Sequence, residues 1–325
     1  MELTAFPEWD IKDSSKLSDW LDCPRMYFWK HLLGWKPDVP AQDLQFGTAF
    51  HKAREWQLIH GYEDIQGSYN AFIESYREKF DLETDAIYTP KDPTAALSAI
   101  IKFAKERQDD LILNEVVELD GVKMVEIAGK VPININRVLY YRMDSIMRNR
   151  ESGKIFSWDH KTTKRFSRFW REAFHLGIQN GTYTHCLYCM FPIEEVLGIE
   201  FCGTAFSYLK RNQEYRIEFE RVPAFKTPEQ MNNWLWQVNQ MIDEIEHEME
   251  CLDDCSENDT VMTAFPMRTN SCTKYYGCAY HDFCLSWINP LQYIHEIPLG
   301  FIQKFWNPAE MEHTVKKDLE WEGGE

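Results

Sequence analysis

The 325-residue sequence has no apolar run long enough to span a bilayer and no basic segment leading into an apolar stretch at its N-terminus. A membrane-spanning helix needs about 20 apolar residues, and a secretory leader needs a charged and then an apolar region. A soluble, cytoplasmic protein that contacts no membrane is therefore expected. No Gly-x-x-x-x-Gly-Lys-Ser/Thr sequence occurs, so a P-loop motor is excluded. Internal repeats and low-complexity tracts are absent as well, which excludes solenoids and biased tails. Basic residues are scarce against acidic ones, 35 to 52, and the net charge of −17 argues against a general nucleic-acid coat protein. That balance still allows a local basic patch. Nine cysteines, an odd number without a leader, argue against a disulfide framework.

What the chain does contain is apolar and aromatic material. Aromatic residues make up 14%, with 12 tryptophans, too rich for disorder, and the length suffices for a large core. Ser14 or Ser15 can cap a first helix that Cys23-Pro24 interrupts. Helices are predicted over 50–60, 71–80 and 94–113, with His51 and Glu55 one turn apart on the first of them. Residues 115–127 read as strand with a turn at Asp120-Gly121, 169–190 as one helix weakened by Gly177 and Gly181, and 201–209 with 215–219 as a hairpin. Residues 228–249 form an amphipathic helix whose Trp234, Val238, Met241, Ile242 and Ile245 share one face. Acidic surplus collects at Asp243, Glu244, Glu246, Glu248 and Glu250, and at Glu320, Glu322 and Glu325. The pattern is α/β, one domain with a helical insertion.

Two further segments carry chemistry. Residues 137–148 and 154–161 read as strands joined by a turn at Asn149-Arg150-Glu151-Ser152-Gly153. Alternation places Asp159 and Lys161 on one face and turns His160 away. A loop of four residues would pair Arg148 with Ile155 and set Asp144 opposite Asp159; one residue more or less would shift the partner to Trp158 or His160. In each case two carboxylates and a lysine come near one another. Oxygen ligands suit hard cations such as Mg²⁺ or Mn²⁺. A cation so held can polarise a phosphoryl oxygen and activate water, and a lysine beside it can hold that water or neutralise developing charge. An ordinary strand ion pair is the competing reading.

Asp144 followed by Asp159-His160-Lys161-Thr162-Thr163 resembles the core of the PD-(D/E)XK nuclease superfamily, most closely its RecB-like branch. Residues 15–27, ending in Cys23-Pro24-Arg25, resemble the N-terminal helix of that branch. Phe46-Gly47-Thr48-Ala49-Phe50-His51 is similar to its Gly-x-x-x-His segment, and Gln179 with Tyr183 to its Gln-x-x-x-Tyr motif. The resemblance implies a restriction-endonuclease-like mixed central sheet flanked by helices. It places the nuclease domain over 1–290, with a helical insertion at about 52–113, the catalytic sheet at about 115–220, a cysteine cluster at 272–284 and a C-terminal extension over 291–325. It implies that His51, Asp144, Asp159 and the backbone carbonyl of His160 hold Mg²⁺ or Mn²⁺, and that Lys161 positions or helps deprotonate the attacking water. Gln179 and Tyr183 would orient substrate or Lys161. A further carboxylate is expected from Glu126, with Glu115 and Glu118 competing for the place.

Cys272, Cys278 and Cys284 are separated by five residues each, wider than the two to four of a zinc knuckle. Members of the RecB-like branch join one early cysteine to three late ones around a [4Fe–4S] cluster, which implies that role for Cys23, Cys272, Cys278 and Cys284; zinc is the alternative. Cys186-x-x-Cys189 falls on a predicted helix and reads as core packing, as do Cys202, Cys251 and Cys255.

Lys161, Lys164, Arg165, Arg168 and Arg171 lie within eleven residues, with Phe166, Phe169 and Trp170 among them. Lys164, Arg165, Arg168 and Trp170 are the candidate nucleic-acid contacts, cations for phosphates and a ring for unpaired bases. A solvated helix face is the plainer reading. The resulting expectation is a divalent-metal-dependent deoxyribonuclease, an exonuclease similar to the iron–sulfur CRISPR-associated and phage enzymes. It would act on single-stranded DNA or free ends in a bacterial or phage-infected cell, with a separate helicase, recombinase or integrase as candidate partner. The alternative is a catalytically silent DNA-binding or assembly subunit stabilised by a Cys₄ metal site.

Overall fold

The computed structural model of the chain describes residues 5–39, 41–274, 277–308 and 315–320. Tyr275 and Tyr276 of the cysteine segment, and Glu322 and Glu325 of the acidic terminus, lie outside the described residues. The helices are α1 (Ser14–Asp22), α2 (Pro24–Tyr27), α3 (Gln42–His60), α4 (Ile65–Arg77), α5 (Pro93–Glu106), α6 (Asp110–Leu113), α7 (Arg168–Glu172), α8 (Ile178–Met190), α9 (Pro228–Asp253) and α10 (His281–Ser286). The strands are β1 (Trp35–Pro37), β2 (Asn114–Val116), β3 (Glu118–Leu119), β4 (Val122–Lys123), β5 (Val125–Pro132), β6 (Val138–Asn149), β7 (Ile155–Thr163), β8 (Val196–Leu209), β9 (Glu214–Ala224), β10 (Phe301–Gln303) and β11 (Val315–Lys316). They group into two compact units: Met1–Val39 with Pro132–Tyr140 and Pro228–Met311, and Pro40–Val131 with Tyr141–Thr227 and Glu312–Glu325. The expectation of a single domain contained no such division.

The second unit is built on a mixed sheet in the order β11-β5-β6-β7-β8-β9, with β2 also paired to β6. Strands β6 and β7 run antiparallel, β7 and β8 parallel, β8 and β9 antiparallel. The α/β fold with a mixed central sheet flanked by helices is thus found as expected. The β6–β7 turn closes because Asn149 accepts from the Gly153 amide through its carbonyl and from the Ser152 amide through its side chain. Gly153 sits at φ 71°, a conformation that glycine adopts without a Cβ clash. Of the registers left open, the structure has Arg148 opposite Ile155. A parallel β7–β8 pair needs a crossover, and α7 and α8 supply it.

The even-numbered residues of β7 and β8 face α3. Phe156, Trp158 and Cys202 join Leu58, Tyr62, Phe103, Val125 and Met147 in one buried cluster. Phe206 meets Phe46 and Phe50 of α3, Phe72 and Tyr76 of α4, and Ala95, Ala96 and Ala99 of α5 in another. The odd-numbered residues, Asp159 and Lys161 among them, face the opposite side, where α8 packs on β7 and β8.

Several boundaries differ from expectation. Helix α3 begins at Gln42 and takes in Gly47. The expected 94–113 helix breaks between α5 and α6, and the expected 169–190 helix is two, with Gly177 as the N-cap of α8. Residues 115–127 are not one strand: the Asp120-Gly121 turn closes a separate short β3–β4 hairpin. In the first unit, Asp13 rather than Ser14 or Ser15 caps α1, its carboxylate accepting from the Lys16 amide at 2.7 Å. The predicted apolar stripe of α9 is buried at Trp234, Val238, Ile242 and Ile245, joined by Met231; Met241 is not fully covered. Strands β1 and β10 form a two-stranded sheet of this unit, beside which Trp29 and Trp35 stack at 5.4 Å.

Candidate active site

The site begins where β6 and β7 part. Their ladder ends at the pair Ser145–Trp158. One residue further on, the Asp144 carboxylate stands where a strand partner would, accepting from the His160 amide at 2.7 Å. Asp144 is thereby held between the strands rather than above one face. From α3, His51 reaches it, Nδ1 lying 3.3 Å from Oδ2. A Cβ added at Gly47 would lie 3.5 Å from Thr162 Oγ1, so this part of α3 rests against β7.

The third member of the group is Glu126. It occupies φ 51°, which strands seldom show outside glycine, and such strain gathers at functional sites. Glu126 is buried and bonded by Arg142 Nε and Nη2 at 3.0 and 2.6 Å. The competing acids are elsewhere: Glu115 pairs with Arg150 at 2.7 Å, and Glu118 lies in the β3–β4 hairpin. Arg142 was missed by sequence reasoning. Its signal was its place two residues before Asp144, on the same face of β6. His51, Glu126 and Asp144 present ligand atoms all within 4.8 Å of one another.

Asp159 lies apart from that trio. Its side chain is 1% exposed, and its Oδ1 is 2.6 Å from Lys161 Nζ. No hydrogen bond of ordinary geometry reaches either oxygen among the described residues. Lys161 keeps 28% of its side chain open and His51 26%, so substrate and solvent can reach both. Gln179 donates to the Tyr183 hydroxyl at 2.9 Å, and that hydroxyl donates to the Arg142 carbonyl. The expected pair is therefore joined, and it fastens α8 to the strand that carries Asp144. The His160 side chain is buried on the α3 side, with its ring 6.4 Å from that of His51.

Electrostatics follow from these contacts. Burial disfavours the His51 cation, but Asp144 outweighs it and raises the imidazole pKa to about 9. Burial likewise opposes the Asp144 anion, yet His51 holds that carboxyl well below its usual range. Asp159 goes the other way: burial raises it to about 6, Lys161 opposing and Asp144 reinforcing the rise. Burial also raises Glu126, with Asp144 adding to it. Lys161 is raised because Asp159 and Asp144 outweigh its desolvation, so it stands as an ammonium. Burial lowers His160 to about 3, leaving it neutral.

Carboxylate oxygens without hydrogen-bond donors among the described residues, as on Asp159, suit a hard cation. The donors present, two carboxylates and an imidazole within 4.8 Å of one another, fit such an ion, and the underbonded Asp159 carboxylate stands beside them. A model of the PD-(D/E)XK nuclease superfamily matches residues 14–285, most of the chain. The chain belongs to the PD-(D/E)XK nuclease superfamily. Members of this superfamily are in general nucleases, hydrolases that use Mg²⁺ or Mn²⁺. No curated protein matches this member significantly.

The segment after β7 is placed by aromatic packing. Trp170 is half-buried between Phe166 and Phe174, at 4.8 Å from each ring centroid, and lies on Gly203. Its ring is thus a packing element rather than the open stacking face that was expected. Lys164 is exposed, 3.5 Å from Asp43; Arg168 is exposed and engages Glu172 at 2.6 Å; Arg165 is exposed.

All four candidate cluster cysteines lie in the first unit as free thiols. Cys23 closes α1 and accepts from the Arg268 amide at 3.3 Å. Burial raises the Cys278 thiol, with Cys23 and Cys272 contributing; burial raises Cys284, with Cys23 and Cys278 contributing. The four thiols therefore share one neighbourhood. They do not form a group with ligand atoms all within 4.8 Å, as four thiolates at about 2.3 Å from a single tetrahedral ion would. Cys186 and Cys202 are buried, as core packing predicts, whereas Cys189, Cys251 and Cys255 are only partly covered.

Proposed function

We propose that this chain is a divalent-metal-dependent deoxyribonuclease of the RecB-like branch, an exonuclease acting from free ends. The observation that carries the reading is the convergence of His51, Glu126 and Asp144 beside the Asp159–Lys161 pair. His51, Asp144 and Asp159 would hold the ion, with Glu126 as a further carboxylate. When bound, Mg²⁺ or Mn²⁺ would polarise a phosphoryl oxygen and acidify a water. Lys161, kept charged by Asp159, holds the attacking water by donating to it and faces the charge that develops on phosphorus. Asp159, 2.6 Å from the Lys161 ammonium, keeps that group in position. Arg142 fixes the Glu126 carboxylate, and Gln179 with Tyr183 fixes the β6 backbone.

Wild type should degrade linear DNA with Mn²⁺ or Mg²⁺ and leave covalently closed DNA intact. Asp159→Ala or Lys161→Ala should abolish cleavage while the thermal transition persists. Retained metal-dependent cleavage in pure Asp159→Ala protein would refute the assignment.

The finer reading extends to the thiols: Cys23, Cys272, Cys278 and Cys284 hold a [4Fe–4S] cluster. Their shared neighbourhood supports it; the wide spacing of the late cysteines departs from the family pattern and leaves zinc or plain thiols as the competing outcome. Anaerobic purification should give brown protein with four irons and four sulfides per chain; colourless, iron-free and active protein would remove the cluster.

A further inference from the structure

The deoxyribonuclease reading leaves open which residue meets the base next to the cut. The aromatic row beside Lys161 points to one. Lys161 pairs with Gly203 across β7 and β8, and Asp159 with Phe201. Phe201 stacks on Phe174 at 4.2 Å, Phe174 meets Trp170 at 4.8 Å, and Trp170 meets Phe166 at 4.8 Å. A Cβ at Gly203 would lie 2.4 Å from Trp170 Cη2, so the bare glycine lets this ring sit on the strand opposite Lys161. The packed rings pin α7 next to the site. They also leave Phe169 outward, 82% exposed, on a helix that shows its charged residues to solvent as well.

A phenyl ring kept in water forfeits burial, and the structure gives it no partner ring among the described aromatic contacts. The same segment carries the exposed cations Lys164, Arg165 and Arg168, of which Lys164 lies 3.5 Å from Asp43 and Arg168 2.6 Å from Glu172. A ring on a cationic segment complements a strand that offers both phosphates and open base faces. In a duplex the base faces are hidden in the stack, so the occupant that fits is unpaired. We propose that Phe169 stacks on an unpaired nucleotide flanking the scissile phosphate and thereby sets a preference for single-stranded over duplex DNA. The proposal rests on the deoxyribonuclease reading for its site, but its test does not require catalysis.

Binding of a fluorescent 20-nucleotide single strand and of the same sequence as a blunt duplex would be measured in Ca²⁺, for wild type and for Phe169→Ala, Phe169→Leu and Phe169→Trp. Phe169→Ala should weaken single-strand binding by about tenfold, the scale of losing one aromatic–base stack, and leave duplex binding within twofold. Phe169→Leu should not restore affinity; Phe169→Trp should. A merely apolar contact would be rescued by leucine, and that result overturns the proposal. Equal losses on single strand and duplex, or no loss, overturn it too. Hydrolysis of bis(p-nitrophenyl) phosphate with Mn²⁺ by the wild-type protein, measured in parallel, tests the deoxyribonuclease reading separately. Absence of all hydrolysis in wild type would strike the deoxyribonuclease reading and leave the binding result to decide the stacking residue.

Discussion

Asp159 carries the clearest single-residue consequence. Its carboxylate is 1% exposed, burial outweighs the balancing charges of Lys161 and His51, and its pKa is raised to about 6. A carboxyl whose folded pKa exceeds its unfolded value favours the folded state while protonated. That contribution is full below about pH 4 and is lost as pH rises through 6, so the metal-free protein bears an unrelieved buried charge at pH 8. Asp159→Asn keeps the shape and removes the charge. It should raise the metal-free Tm by roughly 2–6 °C at pH 8, the advantage shrinking toward pH 4. Wild type should gain more from added Mn²⁺ than the variant. Scanning calorimetry at both pH values with and without metal decides it; equal metal-free Tm values at pH 8 would remove the burial argument. The same residue shows why the acids were legible: spacing along two strands is a property of the sequence. Glu126 was not separable from Glu115 and Glu118, because what turns its side chain toward Asp144 is a φ of 51° and an arginine partner, neither written in its neighbours.

At the scale of elements, the β7–α7–α8 connection joins Asp159 and Lys161 to the proposed nucleotide contact at Phe169. Alternation along β7 and the turn at Asn149 to Gly153 were readable, since both follow from local backbone rules. The division of 169–190 into α7 and α8 was weakly marked, by Gly177 alone. Which ring of the segment packs and which stays open was not marked at all: Trp170 is chosen by the missing Cβ of Gly203, 33 residues later in the sequence. Gly203→Val should therefore push Trp170 off the strand, lowering stability by about 1–3 kcal/mol through overpacking. Single-strand affinity should fall with it, as measured by fluorescence anisotropy, while the far-ultraviolet circular dichroism is kept. Arg165→Ala acts on the same segment through charge. Loss of one phosphate contact should flatten the slope of log K against log salt by about 0.7 for a single strand, with little change in stability because Arg165 is exposed. An unchanged slope would take Arg165 out of the DNA path.

At the scale of the whole molecule, the candidate metal ligands and the cysteines fall in different compact units. His51, Glu126, Asp144, Asp159 and Lys161 belong to one; Cys23, Cys272, Cys278 and Cys284 belong to the other. The cysteine unit collects residues from both termini, so the division depends on contacts between segments more than 200 residues apart, such as Arg25 donating from Nε to the Phe265 carbonyl at 2.8 Å. Helix periodicity predicts α9 but not what meets it, which is why one domain was expected. On the proposed function, the divalent ion and the cluster can each be removed without the other. Chelation by EDTA should stop DNA cleavage at once, since divalent ions on carboxylates exchange freely, and should leave the visible absorption of anaerobically purified protein intact. Cys23→Ser should do the reverse. It should bleach the protein and lower its Tm, because a ligand set that closes a loop of about 250 residues restrains the unfolded chain strongly. Mn²⁺-dependent hydrolysis of bis(p-nitrophenyl) phosphate should persist in that variant below its transition, because none of the hydrolytic residues belongs to the altered unit. Loss of small-substrate hydrolysis in folded Cys23→Ser protein would show that the cysteine unit takes part in the chemistry itself.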